Sequence, residues 1–181
     1  EKEKEKPETA PAFKLKDLAG KERTLEEFKG KYVVHEWINH DCPFVKKHYD
    51  SGNMPKLQTA YTGKGVVWLS VNSSAPGKQG SYPADKANEL TKDKGGAPSF
   101  VLLDPDGAVG RAYGAKTTPH MYVIHDKGTL RYAGAIDSVA STDQSDIPKA
   151  TNYVAAALDS VLAGKPVETA TTQPYGCSVK Y

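Results

Sequence analysis

The chain is 181 residues long, and at roughly one domain per 150 residues that is material for one packed domain with short extensions. Apolar residues make up 38% and charged residues 25%, and no run approaches the roughly 18 consecutive apolar residues of a membrane span, so a soluble globular domain is expected. The 24 Lys and Arg against 22 Asp and Glu leave a formal charge of +2, scattered along the chain, which excludes the massed positive stripe of a nucleic-acid-binding protein.

Two cysteines, Cys42 and Cys177, are too few for a disulfide lattice or a zinc site built mainly from thiolates. Redox chemistry, a single bridge or buried small side chains remain. Because the sequence opens with Glu1, a processed or trimmed chain is expected, and with it an exported protein, periplasmic or secreted, the cytoplasm being the alternative. Composition divides the chain into a charged arm at 1–12 (EKEKEKPETAPA), a domain at 13–164 and a Thr/Pro-rich extended tail at 165–181 that carries Cys177.

In chain order, residues 13–30 alternate and turn at Ala19-Gly20, as an opening hairpin or a strand followed by a helical turn. The β-branched and aromatic run 32–38 (YVVHEWI) predicts a buried strand. A helix follows from Cys42 or just after it, since Pro43 suits a first helical position. It is broken at Ser51-Gly52-Asn53 and restarts near Pro55. Residues 65–72 (GVVWLSVN) are a second buried strand, then a loop at 73–83 and a polar helix at 84–94. The strand at 98–104 ends on the turn Pro105-Asp106-Gly107 and leads to a helical turn at 109–113. Strands at 121–124 and 130–134 form a hairpin, and apolar spacing near 3.6 over 146–162 predicts a helix ending at Gly164. Strands alternating with helices and closing on a hairpin and a terminal helix define a three-layer α/β fold with a mixed central sheet.

The chemically informative segment is 37–48, WINHDCPFVKKH. A thiol in the first turn of a helix meets unpaired backbone N–H groups and the positive end of the macrodipole, both of which favour thiolate. Lys46, Lys47 and His48 add positive potential where they face back, and Asp41 opposes it.

Cys42-Pro43 after a buried strand, with Thr118-Pro119 ahead of a later strand, resembles the thioredoxin-like superfamily. The opening F-x-L-x-D-x-x-G-K with L-x-x-F-x-G-K-Y-V-V resembles its redoxin branch, the alkyl hydroperoxide reductase and thiol-specific antioxidant family. The resemblance implies a thioredoxin-like fold over about 13–162. It also implies a cis Thr118-Pro119 bond lying against Cys42, with Pro43, Thr118 and Pro119 facing the substrate. Val45 stands where a dithiol thioredoxin has its second cysteine, which excludes ordinary Cys-x-x-Cys cycling. Asn39 and His35 stand where a peroxiredoxin aligned on Cys42 has threonine and proline. The pattern is most similar to a peroxiredoxin-like group that keeps only the first thioredoxin cysteine, and the ending Y-G-C-S-V-K-Y is a further likeness.

In that setting a docking tail brings Cys177 to Cys42, since loop-closure cost grows slowly with length. Cys177 then either resolves intermediates on Cys42 or staples the tail permanently. The expected function is a thiol-disulfide oxidoreductase or weakly peroxidase-like antioxidant, acting on protein thiols and disulfides or small hydroperoxides, without a cofactor. The alternatives are a non-catalytic binding module of the same fold, and a copper or zinc carrier using Cys42, His40 and His120. His35 and His125 read as structural, Trp37 and Trp68 as core, and Gly77-Lys78-Gln79-Gly80 matches no phosphate-binding loop.

Overall fold

The structure is a computed structural model that describes residues 8–181. Strands β1 (Lys14–Asp17) and β2 (Glu22–Thr24) form the opening hairpin, and a 3-10 turn at Glu26–Phe28 follows, so both forms expected for 13–30 occur in succession. Next come β3 (Val33–Trp37), α1 (Pro43–Asp50), α2 (Asn53–Thr62), β4 (Val67–Asn72), α3 (Ala84–Asp93), β5 (Phe100–Leu103) and α4 (Ala108–Tyr113). The short β6 (Thr117–Thr118), the hairpin β7 (His120–Ile124) and β8 (Leu130–Gly134), α5 (Tyr153–Leu162) and β9 (Cys177–Ser178) complete the chain.

Among the described residues seven strands form one sheet in the order β2-β1-β5-β4-β3-β7-β8. The central strands β3, β4 and β5 are parallel because helices carry the chain back between them, while β7, β8, β1 and β2 are antiparallel additions. Strands β3 and β4 are buried along their whole length, as a sheet covered on both faces requires. One core joins Val34, Trp68, Met121 and Val123 of the sheet to α1, α2 and α5, and contains Cys42. The opposite core joins Val33, Trp37, Leu69 and Tyr122 to Phe13, Phe28 and Tyr113. These are the three layers expected.

The apolar spacing read as one helix over 146–162 divides in two. Residues Gln144–Lys149 form a 3-10 stretch containing Pro148, and α5 starts anew at Tyr153 with Asn152 as its cap, its Oδ1 accepting the Ala155 N–H at 2.9 Å. Proline lacks the N–H that a continuous helix would use. Of the arm expected at 1–12, residues 1–7 lie outside the described residues. Glu8 and Ala10 pair with the β7–β8 turn, with Leu130 N–H to Glu8 O at 2.7 Å and Ala10 N–H to Gly128 O at 2.9 Å, so the packed chain reaches past Phe13 toward the N-terminus.

Candidate functional site

Strand β3 delivers the chain at Trp37 to a turn built by Asn39. Its Oδ1 accepts the Asp41 N–H at 2.9 Å, its carbonyl accepts the Cys42 N–H at 3.0 Å, and its Nδ2 donates to Gln79 Oε1 at 3.1 Å. Gly80 packs against this turn at φ +86°, where a Cβ would fall 2.5 Å from Asn39 Oδ1, so both backbone and space demand glycine. Cys42 is the N-cap of α1 in extended conformation, its carbonyl accepting the Lys46 N–H at 2.9 Å, and Pro43 follows inside the first turn. The sulfur thus belongs to the end of the helix where N–H groups are unpaired.

Facing it is Thr118-Pro119, joined by a cis peptide bond. Cys42 Sγ is 3.3 Å from the Thr118 carbonyl oxygen. Cys177 approaches along the same edge: β9 pairs antiparallel with β6, Cys177 opposite Thr118 and Ser178 opposite Thr117. Cys42 and Cys177 are joined as a disulfide with Cα atoms 6.0 Å apart.

The rest of the tail makes contacts of its own beside the disulfide. Val179 N–H donates to Lys116 O at 3.0 Å, Lys180 O accepts the Ala75 N–H at 2.7 Å, and Tyr181 OH donates to Ala115 O at 2.6 Å. Lys78 Nζ donates to a main-chain oxygen of Tyr181, and the Arg111 guanidinium stacks over its ring at 4.6 Å. On the other side of Cys177, the Tyr175 hydroxyl donates to Asp137 Oδ1 at 2.7 Å and lies 3.0 Å from His48 Nε2.

The charges around Cys42 are arranged differently from the sequence expectation. Lys46 is exposed. Lys47 is buried and its ammonium donates to Val139 O at 3.3 Å and Ser141 Oγ at 3.4 Å. Burial lowers the His48 pKa to about 4, so its ring is neutral near pH 7. Asp41 accepts the Tyr82 hydroxyl at 2.6 Å. The helix N-terminus is a feature that favours a thiolate in the reduced protein.

Pro43 is exposed, whereas Thr118 and Pro119 are buried beside β9. The edge expected to face a substrate is therefore occupied by the chain's own tail. Among the described residues no three His, Cys, Asp or Glu side chains gather into a metal-holding cluster. His120 Nδ1 accepts the Lys116 N–H at 3.1 Å, and its ring stacks on Tyr122 at 4.7 Å. Strand alternation puts these two on the Trp37 side of the sheet, while Cys42 belongs to the other core. His40 lies edge-on to Tyr49, with neither nitrogen partnered among the described residues. The Cys42, His40 and His120 arrangement needed for a metal carrier is not assembled.

Sequence reasoning missed Tyr175, Asp137 and Tyr181 as tail-docking residues. Two tyrosines in an otherwise Thr/Pro-rich tail were the available signal. It also missed Glu36, wholly buried in β3, whose carboxylate accepts from Tyr49 OH at 2.5 Å, Trp68 Nε1 at 2.8 Å, Gln58 Nε2 at 3.0 Å and Ser70 Oγ at 3.0 Å. A carboxylate in the run YVVHEWI was itself the anomaly to follow.

A cysteine capping the helix after a central strand, opposite a cis-proline, defines a thioredoxin-like redoxin. The AhpC/TSA family matches residues 7–133, and the chain belongs to that family. It is 28% identical over 124 residues to the thiol-disulfide oxidoreductase ResA of Geobacillus thermodenitrificans, a match spanning 68% of this chain and 65% of that protein's length. A hypothetical protein from Sinorhizobium meliloti 1021 superposes with a TM-score of 0.79 at 27% identity, covering 97% of this chain and 93% of that one. The thioredoxin domain of a thiol-disulfide oxidoreductase from Bacteroides vulgatus superposes with a TM-score of 0.56 at 20% identity, over 79% and 94% of the two chains, and shows the shared fold. No helix among the described residues is long and apolar enough to cross a membrane.

Proposed function

We propose that the protein is a thiol-disulfide oxidoreductase in which Cys42 is the attacking thiol and Cys177 the resolving one. The observation that carries this reading is the bond between a helix-capping cysteine and a tail cysteine paired to the cis-proline edge.

In the reduced protein the Cys42 thiolate attacks one sulfur of a substrate disulfide. A Cys42–substrate bond forms as the substrate's own S–S bond breaks, and the other substrate sulfur leaves as a thiolate that takes up a proton. Cys177, deprotonated, then attacks Cys42 Sγ, releases the second substrate thiol and leaves Cys42–Cys177 oxidised. The net change is one substrate disulfide reduced and one protein dithiol oxidised, and an external dithiol closes the cycle. With a hydroperoxide in place of the disulfide, the thiolate takes the terminal oxygen to give a sulfenic acid and an alcohol. Cys177 condenses with the sulfenic acid, losing water. The substrates are thiol and disulfide proteins, with hydroperoxides secondary, and an oxidising, exported location suits the bridge.

The experiment is alkylation of free thiols with mass mapping after equilibration in dithiol buffers of defined potential. A Cys42–Cys177 midpoint above about -270 mV supports turnover, and one below about -300 mV marks a permanent staple. The staple reading is favoured by one observation, that Tyr175, Val179 and Tyr181 make contacts of their own on either side of Cys177, which keep it beside Cys42.

A further inference from the structure

The notch that receives Tyr175 is polar on three sides. Lys47, His48 and Asp137 are each at most 3% exposed, and they present Nζ, Nε2 and Oδ1 at 3.5, 3.0 and 2.7 Å from the Tyr175 hydroxyl. The hydrogens can be counted. Asn53 Nδ2 donates to His48 Nδ1 at 2.9 Å, which leaves the neutral ring's proton on Nε2. The Nε2–H therefore donates to the phenol oxygen and the phenol donates to Asp137, so one hydroxyl serves as acceptor and donor at once. Phe44 meets the ring edge-on at 5.7 Å and the Lys47 ammonium lies 5.4 Å from its centroid.

The next residue, Gly176, stands at φ +148°, and a Cβ there would overlap the Thr118 carbonyl. The residue after that is the cysteine on Cys42. Tyrosine, glycine and cysteine are thus each read by a different group, and closing a disulfide requires only the last.

We propose that the Phe44, Lys47, His48 and Asp137 notch is a specificity subsite for a tyrosine two residues before a reacting cysteine, with glycine between them. The chain's own tail is its resident occupant. A foreign extended polypeptide carrying Tyr-Gly-Cys reaches Cys42 when that tail has left. The proposal deepens, and rests on, the thiol-disulfide reading of Cys42.

The test uses the full chain, reduced, with Tyr175→Ala, Cys177→Ser, Val179→Pro and Tyr181→Ala, so that the tail loses its contacts with the notch, Lys116 and Ala115 as well as its capture of Cys42. The probes are the peptide Pro-Tyr-Gly-Cys-Ser-Val and its counterparts with Phe or Ala in place of Tyr, each carrying the cysteine as a mixed disulfide with 2-nitro-5-thiobenzoate. Cys42 thiolate attacks the peptide sulfur, the bond to the aromatic thiol breaks, and that thiol leaves as a coloured anion, so no other oxidant is involved. At subsaturating peptide the Tyr probe is expected to react roughly ten-fold faster than the Phe probe, the loss set by one charge-assisted hydrogen bond, and the Ala probe slower still. Asp137→Asn, which removes the charge from the acceptor of the phenol hydrogen, is expected to bring the Tyr/Phe ratio toward one.

Equal rates for the three probes overturn the subsite. If Cys42 reacts with none of them, nor with 5,5′-dithiobis(2-nitrobenzoate), the oxidoreductase reading fails instead. The notch is then judged by NMR titration with Pro-Tyr-Gly-Ser-Ser-Val and its Phe counterpart: tighter binding of the Tyr form sustains it and equal binding overturns it.

Discussion

Tyr49, on the helix that Cys42 begins, donates its hydroxyl hydrogen across 2.5 Å to Glu36, on the strand that leads to Cys42, in a site closed to solvent. The two elements flanking the cysteine are therefore tied to each other behind it. Trp68, Ser70 and Gln58 donate to the same carboxylate. Truncation to Glu36→Ala leaves four buried donors without their acceptor and is expected to cost about 3–5 kcal/mol, while Tyr49→Phe costs about 1–2 kcal/mol. Urea unfolding followed by tryptophan fluorescence checks both, and a loss below 1 kcal/mol for Glu36→Ala contradicts the network.

Burial lowers the pKa of His35 to about 3 and of His40 and His120 to about 4, and lowers His48 as well. Each folded value lies below that of the unfolded chain, about 6.5, so below that pH the unfolded chain binds more protons than the folded one. Stability is full above pH 6.5 and falls as pH drops toward 4, with a slope of about 1.4 kcal/mol per pH unit for each histidine still neutral. His35 is enclosed by Phe13, Trp37 and Tyr113, with neither nitrogen partnered among the described residues. His35→Phe is expected to hold or raise stability at pH 7 and to remove one proton from the acid slope. Denaturant titrations from pH 7.5 to 4.5 measure it, and an unchanged slope counts against the assignment.

The bridge between Cys42 and Cys177 spans a sequence separation of 135. Cys177→Ser is expected to lower stability by about 2–5 kcal/mol through the freed unfolded chain. Because the tail has other anchors, amide exchange of Val179, whose N–H donates to Lys116 O, and of Ala75, whose N–H donates to Lys180 O, should remain slow in this variant. Loss of protection at both would mean that the sulfurs alone hold the tail.

Asn152→Ala removes the cap of α5 and should cost about 1 kcal/mol, whereas a proline-free variant, Pro148→Ala, should leave the break before Tyr153 in place. Thermal unfolding and backbone chemical shifts test the pair. A helix that extends back through residue 146 in Pro148→Ala would show that the proline alone divides it.

The central strands were legible because covered parallel strands must be nearly all apolar, which is how 32–38 and 65–72 read. Cys42 was legible because proline after a strand signals a helix start, and Pro43 marks it. The division near Asn152 was overlooked because apolar spacing continues through it, with Ile147, Tyr153 and Val154 in phase, although Pro148 and Asn152 carried the stop and start. The metal alternative failed for a reason that only sheet register supplies: Pro119 and His120 are adjacent in sequence, yet His120 faces the core away from Cys42. The Tyr175 notch joins α1 to Asp137 and to the tail, contacts spanning 38 and 127 positions that no local pattern encodes.

The sulfur bridge also changes how the molecule bears load. A force applied to the two ends runs in through the first 42 residues, crosses from Cys42 to Cys177 and leaves through the last few, bypassing the 135-position loop between. Stretched while oxidised, the chain yields contour only from the residues outside the loop, β3 among them. Reduction makes the loop available as well, on the order of 450 Å of extra contour at about 3.4 Å per residue. The oxidation state of one bond therefore decides how far the chain can be drawn out from its ends.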